Sequence, residues 1–288
     1  MAQTSVRRLP RLALLLLCLA FIAAGFIGRD AWRSADLSAL GFMAALSRGE
    51  ASWWYPTMLG VAPDFPSLLP YWLGAWALQL APPGVNSDFW VRIPFILLLT
   101  LAFVSTWYGS YYLARTPAAQ PVAFAFGGEA HPTDYARAMA DGGLLAFMAS
   151  LGLAQLSHET TPALAQLGFS ALLFYALSAL PYHRVAPLFC AGLGMLGMSL
   201  SGAPALALMF GVGGACIHGV DRRSANDEGN PLRHQTLDAA LLLVMALAVA
   251  WIAKILGLWV WKVEWPTLSW DYWNGHIPLL HWFTWPAW

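Results

Sequence analysis

The chain has 288 residues, of which 59% are hydrophobic and 10% charged, and its formal net charge is zero. A soluble domain carries about 25% charged residues, so this composition excludes a water-soluble fold and points to a polytopic membrane protein. The neutral charge balance argues against nucleic acid as a partner.

The first eleven residues carry Arg7, Arg8 and Arg11, and residues 12–27 are apolar. A secretory signal peptide looks similar. However, no small-x-small cleavage site follows, so the segment is read as an uncleaved first transmembrane helix with its basic end in the cytoplasm. Residues 28–88 then form a large external loop holding Asp30, Asp36, Glu50 and Asp64. Within it, Leu37, Leu40, Ala44 and Ala45 recur at helical spacing, with Asp36, Ser47 and Arg48 on the other side. That pattern predicts an amphipathic helix over 31–47 lying on the membrane, started by Asp30 and ended by Gly49. Residues 68–80 are apolar but too short to span, which predicts a second juxtamembrane helix.

Further spans are expected at 89–114, 142–156, 162–180, 187–200, 203–220 and 237–260. The expectation is thus an all-α membrane domain of about seven transmembrane helices. The segment 116–140, with a Gly127-Gly128 pair, and the polar segment 221–235 read as cytoplasmic loops. The glycine-rich spans at 187–200 and 203–220 are expected to pack inside the bundle. Residues 261–288 read as an external tryptophan-rich segment whose aromatic end resembles the lead-in to another span. The sequence therefore reads as truncated or as the N-terminal part of a longer chain. Arg7, Arg8, Arg11, Arg115, Arg137, Arg184, Arg222, Arg223 and Arg233 all fall on the side assigned to the cytoplasm, in keeping with the positive-inside rule. Cys18, Cys190 and Cys216 lie in apolar runs without metal-ligand spacing, and no histidine pair has it either.

This topology converges Asp30, Arg33, Asp36, Asp64, Arg92, His158 and Glu159 on the outer face. A carboxylate there can act as general base on an acceptor hydroxyl or amine. An arginine can hold a phosphate leaving group through a bidentate pair. On that reading Asp30, His158 and Glu159 are the catalytic candidates, and Arg33, Asp36, Asp64 and Arg92 the substrate-binding ones. Each also has a plainer reading. Asp30 caps a helix; Arg33 and Asp36 pair on a wet helix face. Asp64 forms a turn; Arg92 snorkels. His158 and Glu159 are the polar tip of a helical hairpin.

The arrangement resembles the GT-C superfamily of polyprenyl-phosphate-dependent glycosyltransferases, especially the aminoarabinose transferase and protein mannosyltransferase branch. Members carry a motif like D-E-x-R-Y-A-E at the start of a large first external loop. Here Asp30-Ala-Trp-Arg33-Ser-Ala-Asp36 matches its first acid, arginine and last acid, with Ala31 and Ser34 departing from it. Phe65-Pro-Ser-Leu-Leu-Pro-Tyr71-Trp72 is similar to the family's F-E-K-P-P-L-Y-Y-W at its aromatic ends but lacks the Glu-Lys pair. Arg92-Ile-Pro94 resembles the family's R-L-P.

The resemblance implies a glycosyltransferase of the bacterial inner membrane. Its donor would be a polyprenyl-phosphate sugar and its acceptor a lipid or protein. Asp30 would be the base or acceptor-orienting acid, and Arg33 and Arg92 would bind the donor phosphate. No metal is required, although Asp30 with Asp36 or Glu159 offers oxygen ligands for one divalent cation. Two alternatives stay open: a catalytically degenerate scaffold or assembly subunit, and a lipid-linked substrate transporter or flippase. Against the latter, the spans carry few of the charges that transport paths use.

Overall fold

The computed structural model describes residues 10–28, 30–31, 33–84, 86–121, 130–220, 231–259 and 270–285. Expectations resting on Arg7, Arg8, Gly127-Gly128, Arg222, Arg223 and residues 261–269 lie outside the described residues. The described chain is helical. In order it runs α1 (Arg11–Phe26), α2 (Ser34–Ser47), α3 (Leu69–Leu80), α4 (Ser87–Ala114), α5 (Pro132–Ala149), α6 (Leu151–Leu156), α7 (Pro162–Ala179), α8 (Val185–Leu200), α9 (Pro204–Val220), α10 (Pro231–Ile255) and α11 (Trp270–Thr284).

Three helices are long and apolar enough to cross a membrane: α4, α7 and the Gln235–Ile255 part of α10. Shorter apolar helices, α1, α2, α8 and α9, accompany them. At about 1.5 Å per residue, the 28 residues of α4 reach about 42 Å, well past a hydrocarbon core of about 30 Å. Its first turns can therefore stand clear of the lipid, and that is where Arg92 lies. The Asn86 side chain caps α4 by accepting from the Asp88 amide at 3.0 Å.

Helices α4 and α7 form the spine, flanked by α5, α8, α9 and α10. Small residues let the backbones approach closely, as they do in membrane bundles. A Cβ on Gly168 of α7 would sit 3.1 Å from the Leu98 carbonyl oxygen of α4. On α8 and α9 the expectation of interior packing holds for one face only. Gly194 and Gly197 face Leu173 and Phe169 of α7, whereas Phe189, Met209 and Ile217 point outward and are exposed. At one end of the bundle the Arg115 guanidinium lies 5.6 Å from the Tyr111 ring and 5.2 Å from the Tyr182 ring. At that same end Arg184 pairs with Asp238 of α10 at 2.7 Å.

The structure departs from the sequence expectation in three places. The segment predicted as loop up to residue 140 is the first half of α5, which begins at Pro132 and carries Asp134, Arg137 and Asp141. Its helix breaks at Ser150, whose hydroxyl donates back to the Ala146 carbonyl at 3.0 Å and whose backbone is extended. Second, Asp30 does not cap α2; Arg33 occupies that position, and its side chain makes no capping bond to the helix. Gly49 does end the helix, with a φ of 73°. Third, the faces of α2 are not those predicted. Asp36, Ala39, Phe42, Met43 and Leu46 are buried, and Leu37 is exposed.

Candidate functional site

Five consecutive polar residues, Ser157, His158, Glu159, Thr160 and Thr161, join α6 to α7, and every one is buried. A turn of this composition between two helices normally meets water. Burying it requires a partner for each polar group, and the partners come from distant parts of the chain.

Helix α2 supplies one side. The Thr160 amide donates to Asp36 Oδ1 at 2.8 Å, and the Thr160 hydroxyl donates to the same oxygen at 2.6 Å. Just ahead of α2, Arg33 Nη1 donates to Glu159 Oε1 at 3.3 Å. Glu159 is buried, whereas the Arg33 side chain keeps 33% of its surface exposed. Asp36 and Arg33 thus do not pair with each other; each reaches the turn instead.

Helix α1 supplies the other side. His158 Nε2 lies 3.0 Å from the Phe21 carbonyl and Nδ1 lies 2.9 Å from the Ala154 carbonyl. Carbonyls only accept, so the ring nitrogen that carries a proton donates to its carbonyl, and the Ser157 hydroxyl lies 3.4 Å from Nδ1. The ring is flanked by Phe21 and Phe26, with centroids at 4.8 and 5.4 Å. It occupies the space beside Gly25, where any Cβ would collide with it. Arg92 closes the end of α1: Nη1 donates to the Phe26 carbonyl at 3.1 Å, and Nη2 pairs with Asp88 at 3.3 Å. Positive groups at the last carbonyls of a helix are favoured by its dipole. Arg92 is buried, so it does not snorkel to water as the plainer sequence reading had it.

Arg33, Asp36, Arg92, His158 and Glu159 therefore form one polar latch. Asp30 and Asp64 do not join it. Both are exposed, and neither has a hydrogen bond or ion pair among the described residues. Asp64 stands near Tyr71: burial pushes the Tyr71 hydroxyl above its usual range, and the Asp64 charge pushes the same way.

The chain matches no protein-family model, no curated protein and no solved structure.

The divalent cation that the carboxylates invited finds no support in this geometry. Asp36 Oδ1 is taken by Thr160 and Glu159 by Arg33. Among the described residues no three His, Cys, Asp or Glu side chains converge to hold an ion. What remains for chemistry is an exposed carboxylate, Asp30, three positions ahead of Arg33 in the chain, and the exposed edge of Arg33 itself. Behind the α6–α7 turn a cavity of about 250 Å³ is lined by Leu156, Ser157, Gln166, Ser170 and Phe283.

Several members of the latch carried no signal that singled them out. Phe21 and Gly25 lie in an unbroken apolar run, and Thr160 is one hydroxyl among several. Asp88 was legible in principle, because it precedes Arg92 by four residues at helical contact spacing.

Proposed function

We propose that this chain is a glycosyltransferase of the GT-C kind in a bacterial inner membrane, moving a sugar from a polyprenyl-phosphate donor to a lipid or protein acceptor on the outer face. The observation that carries the reading is the state of Asp30. It is an exposed carboxylate without a partner among the described residues, three positions ahead of an arginine tied to a buried turn. A general base needs that combination: a free lone pair on a backbone held in place nearby.

In this reading the Asp30 carboxylate removes the proton from an acceptor hydroxyl or amine. The acceptor atom attacks the anomeric carbon from the face opposite the phosphate. The new glycosidic bond forms as the bond from anomeric carbon to phosphate oxygen breaks, and the polyprenyl phosphate leaves with the electron pair. The exposed edge of Arg33 neutralises the charge growing on that phosphate. Arg92, His158 and Asp36 are positioning residues here, because their polar atoms are already engaged within the protein. Glu159 holds Arg33.

The topology that goes with this function has seven spans: α1, α4, α5 with α6, α7, α8, α9 and α10. Arg11, Arg115, Arg137 and Arg184 gather at one end, which we take as cytoplasmic, and the latch lies at the other. The completeness of the latch favours one alternative, a scaffold that has kept the shape of the site without its turnover. Asp30→Asn separates the two. Glycan loss from envelope lipid or protein, measured by mass spectrometry with the variant present at normal levels, is the expected outcome. Unchanged glycosylation overturns the catalytic assignment and leaves the scaffold.

A further inference from the structure

Helix α1 touches the bundle mainly near its end; Phe26 is its buried residue. Nearer its start it stands off from α4 and α5, leaving a groove of about 640 Å³ between the three. That volume is in the range of about 300–1,000 Å³ typical of small-molecule sites. The walls are apolar, built from residues such as Leu15, Cys18 and Ile22 of α1 and Phe103 and Val104 of α4. The charged residues are confined to one end. There Arg11 and Arg137 line the groove, and neither has an ion pair or hydrogen bond among the described residues. One carboxylate, Asp141, also lines it, but it accepts from Trp107 Nε1 at 2.8 Å and does not pair with Arg137. The end is left with a net positive charge and two guanidinium groups able to donate.

The length of the groove fits this polarity. From Arg11 to Ile22 is about 16 Å along the helix at about 1.5 Å per residue, which is about half of a hydrocarbon core of about 30 Å. A chain entering from one leaflet fills that distance with its headgroup at the arginines.

We propose that this groove is a binding site for an anionic glycerophospholipid, with one acyl chain along α1 and the phosphate diester between Arg11 and Arg137. Charge complementarity selects the occupant: a zwitterionic lipid brings its own cation to an end that is already positive. Its arginine end lies at the opposite end of the bundle from the latch, and the proposal stands or falls independently of the glycosyltransferase reading.

The test is native mass spectrometry of the full chain after equilibration with vesicles of equal phosphatidylglycerol and phosphatidylcholine. One retained phosphatidylglycerol per chain is expected. Each arginine near a membrane surface changes affinity about fivefold, so Arg11→Gln with Arg137→Gln lowers retention roughly 25-fold, and Arg48→Gln, a control outside the groove, leaves it unchanged. Cys18→Trp fills the groove and removes bound lipid of either class. Equal retention of the two lipids overturns the proposal, as does undiminished retention in a double variant with normal helicity. Displacement of the lipid by inorganic phosphate alone also overturns it, since the acyl chain would then contribute nothing.

Discussion

The two halves of the segment between α1 and α4 are held by opposite chemistry. The first half, around Arg33 and Asp36, is fixed by charged and hydrogen-bonded pairs to a buried turn. The second half is fixed by backbone and shape. The Leu68 amide donates to the Leu200 carbonyl at 2.8 Å, and Gly202, with a φ of 89°, leaves room for the Pro66 carbonyl. Leu68 packs with Ala253 and Leu258. Between these anchors a short hairpin around Leu59 and Gly60 leaves Trp54, Tyr55, Leu59 and Phe65 exposed. A polar attachment is directional and fails when one partner is lost. An apolar tip is tolerant, since a single exposed side chain has little to lose.

The largest break in this contrast is expected from Gly25→Leu, which drives a side chain into the His158 ring. Overpacking of this kind costs about 3 kcal/mol, read as a lowered thermal midpoint in detergent. In a His158→Ala background the same substitution costs far less, and equal costs in both backgrounds would deny that the two residues meet. Next, Asp36→Ala leaves the buried Thr160 amide without its acceptor, at about 2 kcal/mol. Asp36→Asn keeps an oxygen there and recovers most of the loss; failure of that rescue would show that charge, not hydrogen bonding, holds α2.

Leu59→Ser, at the tip, where Leu59 is 97% exposed, is expected to shift stability by less than about 0.5 kcal/mol, and a larger drop would mean that the tip is packed after all. The smallest effect belongs to Arg48, which pairs with Glu50 at 2.7 Å on the surface. Arg48, first through its hydrogen bond, holds the Glu50 carboxyl below its usual range. The pair therefore contributes above the ordinary carboxylate pKa and fades as pH falls through the lowered value. Both side chains are solvent-exposed, so Arg48→Ala should leave melting curves at neutral pH within replicate scatter and remove only this weak acid dependence.

Apolar run length made the helices readable in the sequence. The segments 12–27, 68–80 and 162–180 fall within a residue or so of α1, α3 and α7. The first half of α5 was not readable, because Asp134, Arg137 and Asp141 give it the composition of a loop. In the structure the indole of Trp107 satisfies Asp141. The face of α2 was misassigned for a related reason. Asp36 looks like a solvent-side residue until Thr160 is placed opposite it, and no local pattern carries that information. The candidate site residues were legible as residue types. Their division into a buried, bonded set and the exposed pair Asp30 and Asp64 required the fold.

The bonds of the latch also set an order of events in biosynthesis. Those that tie α1 and the start of α2 to the α6–α7 turn join residues 124 to 137 positions apart in the chain. At about 5–20 residues per second, the ribosome needs roughly 6–25 s after Asp36 emerges to deliver Thr160. During that interval α1 and α2 are already made, yet the partner that buries Asp36 does not exist. The N-terminal helix must wait as an unlatched intermediate, and the arrival of the α6–α7 turn is the step that commits this end of the bundle to its final shape.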